Sequence, residues 1–120
     1  MAKKILIVDD DPIIVKYLKN VLEDNGYETC SASDGKEAYK VLEAEKPDMI
    51  TLDLEMPEEW GTRFFRKITK KEEYKDIPAL VISGLQGRHL ALKNVVASMA
   101  KPFDPDKVMA IIRKTIGDPK

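Results

Sequence analysis

The chain of 120 residues has a single cysteine, Cys30, and a single histidine, His89. A lone cysteine excludes a disulfide framework and a thiolate metal cluster, and it fits a reducing, cytoplasmic setting. His89 has no companion histidines, so a surface position suits it better than metal ligation. Charge of one sign is also missing. With 20 basic against 21 acidic residues and a net charge of -1, the chain lacks the basic surplus of a dedicated nucleic-acid or membrane-surface binder. Long apolar runs are absent too, and Met1-Ala2-Lys3-Lys4-Ile5 opens no hydrophobic signal region. Neither G-x-G-x-x-G nor G-x-x-x-x-G-K-[ST] occurs, which removes the case for dinucleotide or P-loop nucleotide binding. Gly and Pro fall singly between periodic segments, with no linker, repeat or low-complexity tract. What remains is one folding unit whose 43% hydrophobic content supports a single core, and whose expected partner is a protein or a small anion.

The apolar runs are of strand length. Lys4 to Val8, Met49 to Leu52, Ala79 to Ile82 and Val95 to Ala100 read as buried strands, with Glu28 to Ala32 a weaker fifth. Helical periodicity fills the intervals. Ile14, Leu18, Val21 and Leu22 share one face of a helix that Asp11 starts, with Pro12 at the first position, and Gly26 stops. From about Asp34 to Glu45, Asp34 and Glu37 make a capping box ahead of Ala38, Val41 and Leu42. A third helix carries Phe64, Phe65 and Ile68, and a last one carries Val108, Ile111, Ile112 and Ile116 behind Asp104 and Pro105. Alternating strands and helices predict an α/β fold: a doubly wound, five-stranded parallel sheet covered on both faces by right-handed crossovers.

In that architecture functional groups gather at the carboxyl ends of the strands. Here those ends are Asp9 and Asp10, Asp53, Ser83 and Lys101. Like charges a few ångströms apart repel by about 4 kcal/mol at an effective dielectric near 20, so the carboxylates call for a cation, a proton or a helix N-terminus. Asp11, followed by Pro12, suits a helix N-cap. Asp9, Asp10 and Asp53 suit a hard divalent cation, which takes carboxylates, waters and phosphate oxygens. Lys101 would offer an ammonium and Ser83 a hydroxyl to phosphoryl oxygens, leaving one carboxylate as nucleophile. Together they predict a phosphoryl-transfer site.

Four segments in this order, ILIVDDDP, PDMITLDLEMP, PALVISG and AKPFDP, resemble the receiver domains of two-component response regulators, the fold of the chemotaxis response regulator. The resemblance runs over essentially the whole chain and implies strand order 2-1-3-4-5. It implies that Asp53 accepts a phosphoryl group from a histidine kinase or phosphotransfer protein. Asp9, Asp10, Asp53 and the backbone carbonyl of Glu55 would hold Mg2+, with Mn2+ an alternative. Ser83 stands at the family's switch position, Lys101 at its lysine, and Pro102 implies a cis bond. The reaction would be self-phosphorylation and dephosphorylation by a signalling domain rather than turnover by an enzyme. Because no output domain follows the last helix, the expectation is a single receiver domain over 1–120. It would act on an unidentified effector protein as a monomer or a phosphorylation-linked dimer.

Departures from the family stand beside the matches. Ser98 occupies the place, three before the lysine, where receivers commonly carry an aromatic switch. The stretch from Ser83 to Lys101 is short by about one helical turn of 3.6 residues, and Gly84, Gly87 and Asn94 weaken the helix within it. A shortened or irregular fourth helix is expected, and with it an altered output face. Glu58 and Trp60 in MPEEWG replace small and polar residues, and Trp60 could contact a partner. Glu55 and Leu85 flank the approach of attacking water. Cys30 reads as core or edge packing. Two other readings remain: a degenerate receiver serving as a phosphorylation-independent docking module, and a haloacid-dehalogenase-like hydrolase. The hydrolase wants a second Asp where Glu55 stands.

Overall fold

Five strands pair in parallel in the order β2-β1-β3-β4-β5. They are β1 (Lys4–Val8), β2 (Glu28–Ala32), β3 (Met49–Leu52), β4 (Ala79–Ser83) and β5 (Val95–Ala100). The computed structural model describes residues 2–53, 66–68, 70–83, 95–101 and 103–119, with Ser83 and Ala100 described by their backbone alone. Every strand expected from the sequence forms, and β4 extends one residue further, to Ser83.

The helices begin where their caps dictate. α1 (Pro12–Asp24) starts at Asp11, whose side chain accepts a hydrogen bond from the Ile13 amide at 2.9 Å, with Pro12 at the first position. α2 (Gly35–Glu45) starts at Asp34, which accepts from the Glu37 amide at 2.7 Å. The return bond of the capping box reaches one residue further back than the standard pattern, with Glu37 accepting from the Ser33 amide at 3.4 Å. α3 (Pro105–Ile116) starts at Asp104, which accepts from the Asp106 amide at 2.9 Å. Residues 66–68 are helical, and Ile68 among them is fully buried. Phe64 and Phe65, expected on the same helix, lie outside the described residues, as do Trp60, His89 and the segment expected to hold a shortened fourth helix.

Because strand side chains alternate between faces, the sheet separates two cores. Leu6, Val8, Ile50, Leu52, Ala79 and Val81 pack with Ala38 and Leu42 of α2 and with Ile68. Ile5, Ile7, Met49, Leu80 and Ile82 pack on the other face with Leu18 and Leu22 of α1 and Val108, Met109 and Ile112 of α3. At about 25 cal/mol per Å2 of apolar surface removed from water, these layers dominate the stability. Cys30 packs partly buried against the first core and donates weakly to the Ile5 carbonyl, 3.9 Å away. Burial pushes its thiol up to about 11.

The amino ends of the strands are closed by neutral and paired groups. The Lys4 amide donates to Asp48 at 2.8 Å, and its ammonium pairs with Glu45 at 2.9 Å. Tyr27 donates to the Gly117 carbonyl at 2.6 Å, Lys3 bonds the Ile116 and Pro119 carbonyls, and Arg113 bonds Asn25 at 2.6 Å. Gly26 makes the turn between α1 and β2 with φ at +92°, and a Cβ there would lie 2.9 Å from Pro119 Cγ. Both facts require glycine.

Candidate functional site

The sheet ladder runs one residue past β1 and β3 and so delivers two carboxylates side by side. The Asp9 amide donates to the Ala32 carbonyl at 3.1 Å, and the Asp53 amide donates to the Val8 carbonyl at 2.9 Å. Their residues are only 2% and 3% exposed. Asp10 follows at the surface, and one carboxylate oxygen from each of Asp9, Asp10 and Asp53 falls within 4.8 Å of the others. Such a set of hard oxygen donors fits a divalent cation of the magnesium class. A groove of about 390 Å3 opens beside the cluster, lined by Asp9, Asp10, Pro12, Lys16, Ser31 and Ser33 among others.

Lys101, immediately after β5, supplies the countercharge. Its ammonium lies 2.8 Å from Asp9 Oδ2 and 3.3 Å from Asp53 Oδ2. The second oxygen of Asp9 accepts from the Asp11 amide at 2.9 Å. Burial pushes the Asp9 carboxyl above its usual range, and the hydrogen bond from Lys101 only partly opposes it. For Lys101 itself, burial works to lower the pKa, but Asp9 and Asp53 outweigh it and the ammonium is held above its ordinary value. Among the described residues the site therefore sets one charged ammonium against two nearly buried carboxyl groups.

Asp9, Asp10, Asp53 and Lys101 converge as the sequence pattern anticipates. Ser83 closes β4 in register with Ala100, the residue before Lys101. Glu55, the remaining expected metal ligand, lies outside the described residues. So do Pro102, Glu58, Leu85, Gly84, Gly87 and Asn94. Ser98 is exposed on β5.

Two features of this end of the molecule escaped the sequence reading. Ile13 and Tyr17 are 76% and 49% exposed on α1, and the Tyr17 ring meets Phe103 edge-on at 5.5 Å. Their spacing of four along the helix was the available signal. Thr51, in the middle of the apolar run of β3, is 1% exposed, and among the described residues its hydroxyl bonds no protein group. A polar residue inside an otherwise apolar strand was the sign of it.

Comparison with known proteins agrees with this arrangement. The model of the response regulator receiver domain matches residues 5–113. Protein Rrf1 of Nitratidesulfovibrio vulgaris is 31% identical over 116 residues, covering 97% of this chain and 84% of that protein. The chain spans 57% and 48% of the length of two transcriptional regulatory proteins that it matches at 36% identity. The solved structure of the Vibrio cholerae chemotaxis protein CheY4 superposes with a TM-score of 0.84 at 26% identity, covering 97% of this chain and 100% of that one. The receiver domain of sensor histidine kinase PA1611 from Pseudomonas aeruginosa, with a magnesium ion coordinated in its active site cleft, superposes with a TM-score of 0.85. It is 27% identical, with 98% and 100% of the two chains covered. The fold, the order of its strands and the match over residues 5–113 place the chain in the family of response regulator receiver domains.

Proposed function

We propose that the chain is a phosphoacceptor of two-component signalling, in which Asp53 takes a phosphoryl group from a histidine kinase or phosphotransfer protein. The observation that carries this reading is Lys101 bonded to both Asp9 and Asp53 beside the exposed Asp10. An Asp53 carboxylate oxygen attacks phosphorus as the bond to the donor nitrogen or oxygen breaks. The donor leaves with the bonding electrons and takes a proton from solvent. The product is an aspartyl phosphate. Asp9, Asp10 and Asp53, with the Glu55 carbonyl, would hold Mg2+ or Mn2+, and the bound ion would supply positive charge to the phosphoryl oxygens. Lys101 orients Asp53 and neutralises charge arriving on the phosphoryl group. Ser83, at the end of β4, would donate to a phosphoryl oxygen and couple the modification to the residues after it.

Family members are signalling domains rather than enzymes acting on free metabolites, and the chain's part in the proposed reaction is to catalyse its own modification. Independent action of 1–120 as one domain is supported by the match to CheY4, all of which the chain covers. Among the described residues no helix is long and apolar enough to cross a membrane. The effector is a protein that reads the phosphorylated surface.

Incubation with acetyl phosphate and Mg2+ followed by intact mass tests the proposal. Native protein should gain one phosphoryl group and Asp53→Asn none. An unmodified native chain, or an equal gain in Asp53→Asn, would sink it. Equal binding of an effector to native and Asp53→Ala protein, with and without acetyl phosphate, would establish the docking-module reading instead.

A further inference from the structure

Thr51 belongs to a row of register partners that crosses all five strands: Ser31, Ile7, Thr51, Leu80 and Ala97. Its immediate neighbours, Ile7 and Leu80, are fully buried in the core beneath α1 and α3. Two residues further along β3 and β1 stand Asp53 and Asp9, and the ladder bonds of their amides continue the pleat to that point. Residues two apart on a strand share a face. Thr51, flanked by Ile7 and Leu80, is therefore a polar residue in the layer directly under the carboxylates.

Its hydroxyl is an anomaly on energetic grounds. Thr51 is 1% exposed, and among the described residues no protein group hydrogen-bonds its Oγ1. A buried hydroxyl without a partner is expensive, whereas Val has the same shape, favours strands more strongly and carries no such penalty. The layer above carries hydrogen-bond acceptors. Asp9 Oδ2 and Asp53 Oδ2 both accept from Lys101, Asp9 Oδ1 accepts from the Asp11 amide, and each carboxylate oxygen offers two lone pairs. Two residues of strand advance about 6.6 Å between Cα atoms; among the described residues no direct bond joins the Thr51 hydroxyl to either carboxylate, and one water between the side chains spans such a separation. Internal waters settle where several polar groups converge in this way.

We infer that Thr51 is a positioning residue of the phosphoacceptor site, acting through one internal water that its hydroxyl shares with the Asp9 and Asp53 carboxylates. The hydroxyl donates to the water, and the water donates to the inner carboxylate oxygens. Those oxygens are thereby fixed from below while Lys101 fixes them from the side. The inference rests on Asp53 being the acceptor. Its consequence is that the orientation of the acceptor depends on a hydroxyl in the core as well as on the groups in the cleft.

A crystal structure of the native chain should show ordered density within about 3.2 Å of both Thr51 Oγ1 and a site carboxylate. The initial rate of modification by acetyl phosphate and Mg2+, read by intact mass, should fall about three- to tenfold in Thr51→Val, the loss expected for one hydrogen bond. Thr51→Ser should stay within about twofold of native, because it restores the hydroxyl. Three results would each overturn the inference: a dry hydroxyl, a native rate in Thr51→Val, or equal losses in the Val and Ser variants. If the native chain accepted no phosphoryl group, the acceptor assignment itself would fail, and the density alone would decide the water.

Discussion

The two ends of the sheet are built on opposite principles. At the amino end, Tyr27, Lys3, Asn25 and Arg113 are tied to carbonyls or neutral partners near the end of α3, and Lys4 is tied to Asp48 and Glu45. At the carboxyl end two nearly buried carboxylates share one ammonium, and a third carboxylate stands beside them. The first arrangement lowers the energy of the folded chain by itself. The second holds like charges together and becomes favourable only when cations offset them. The amino end thus holds the fold without a cation, the carboxyl end gathers charge that chemistry can use, and substitutions at the amino end are expected to leave the chemistry unchanged.

The sharpest way to break this comparison is Lys101→Ala, which leaves Asp9 and Asp53 without their countercharge. In EDTA the variant should lose on the order of 3 kcal/mol in a urea titration, the penalty for stranding buried charge. Millimolar Mg2+ should restore part of that loss. An equal loss with and without the ion would mean that the cluster is not a cation site. Next in size is Gly26→Ala at the amino end. The strained φ and the contact with Pro119 should together cost about 2 kcal/mol. The rate of modification by acetyl phosphate should be unchanged.

Tyr27→Phe is milder. It removes the donor to the Gly117 carbonyl, and about 1 kcal/mol should be lost, read as a fall in Tm of roughly 4 °C. Modification should again proceed at the native rate. If either variant slowed it severalfold, the two ends would be coupled and the division drawn above would be wrong.

The smallest expected effect runs in the other direction. Burial raises the Asp9 carboxyl above its ordinary value of 3.8, so the folded chain holds that proton more tightly than the unfolded one. The stabilising contribution is complete below pH 3.8 and disappears as the pH rises through the folded value. At neutral pH Asp9 therefore weakens the metal-free fold. Asp9→Asn in EDTA should melt a few degrees higher than native at pH 7, and the gap should close on acidification. A lower Tm for Asp9→Asn at neutral pH would show that the bond to Lys101 outweighs burial.

How much of this was legible in the chain itself differs from element to element. Asp11, Asp34 and Asp104 announced three helix starts, because a cap is a contact between residues two or three apart. The strands were legible as short apolar runs, and even Glu28 to Ala32, with only one fully buried residue, paired as expected along β1. Asp9, Asp53 and Lys101 stood out through their places at strand ends. Thr51 stood out less: it is the polar residue of an apolar run, but a β-branched residue is ordinary in a strand and only burial made its hydroxyl an exception. The exposure of Ile13 and Tyr17 did not stand out, because it depends on what α1 leaves uncovered after packing.

The sequence by itself determined the alternation of strands and helices, their caps, and the residue types waiting at the strand ends. These follow from local periodicity and short-range hydrogen bonds. Only the tertiary structure decided that Lys101 meets an aspartate 92 positions earlier, at 2.8 Å, that Tyr27 secures Gly117, and that Thr51 has no protein partner among the described residues beneath the acidic layer. The reason is physical. Pairing between distant residues depends on register and on which faces are sealed, and both are set when the parallel sheet assembles between its two layers of helices.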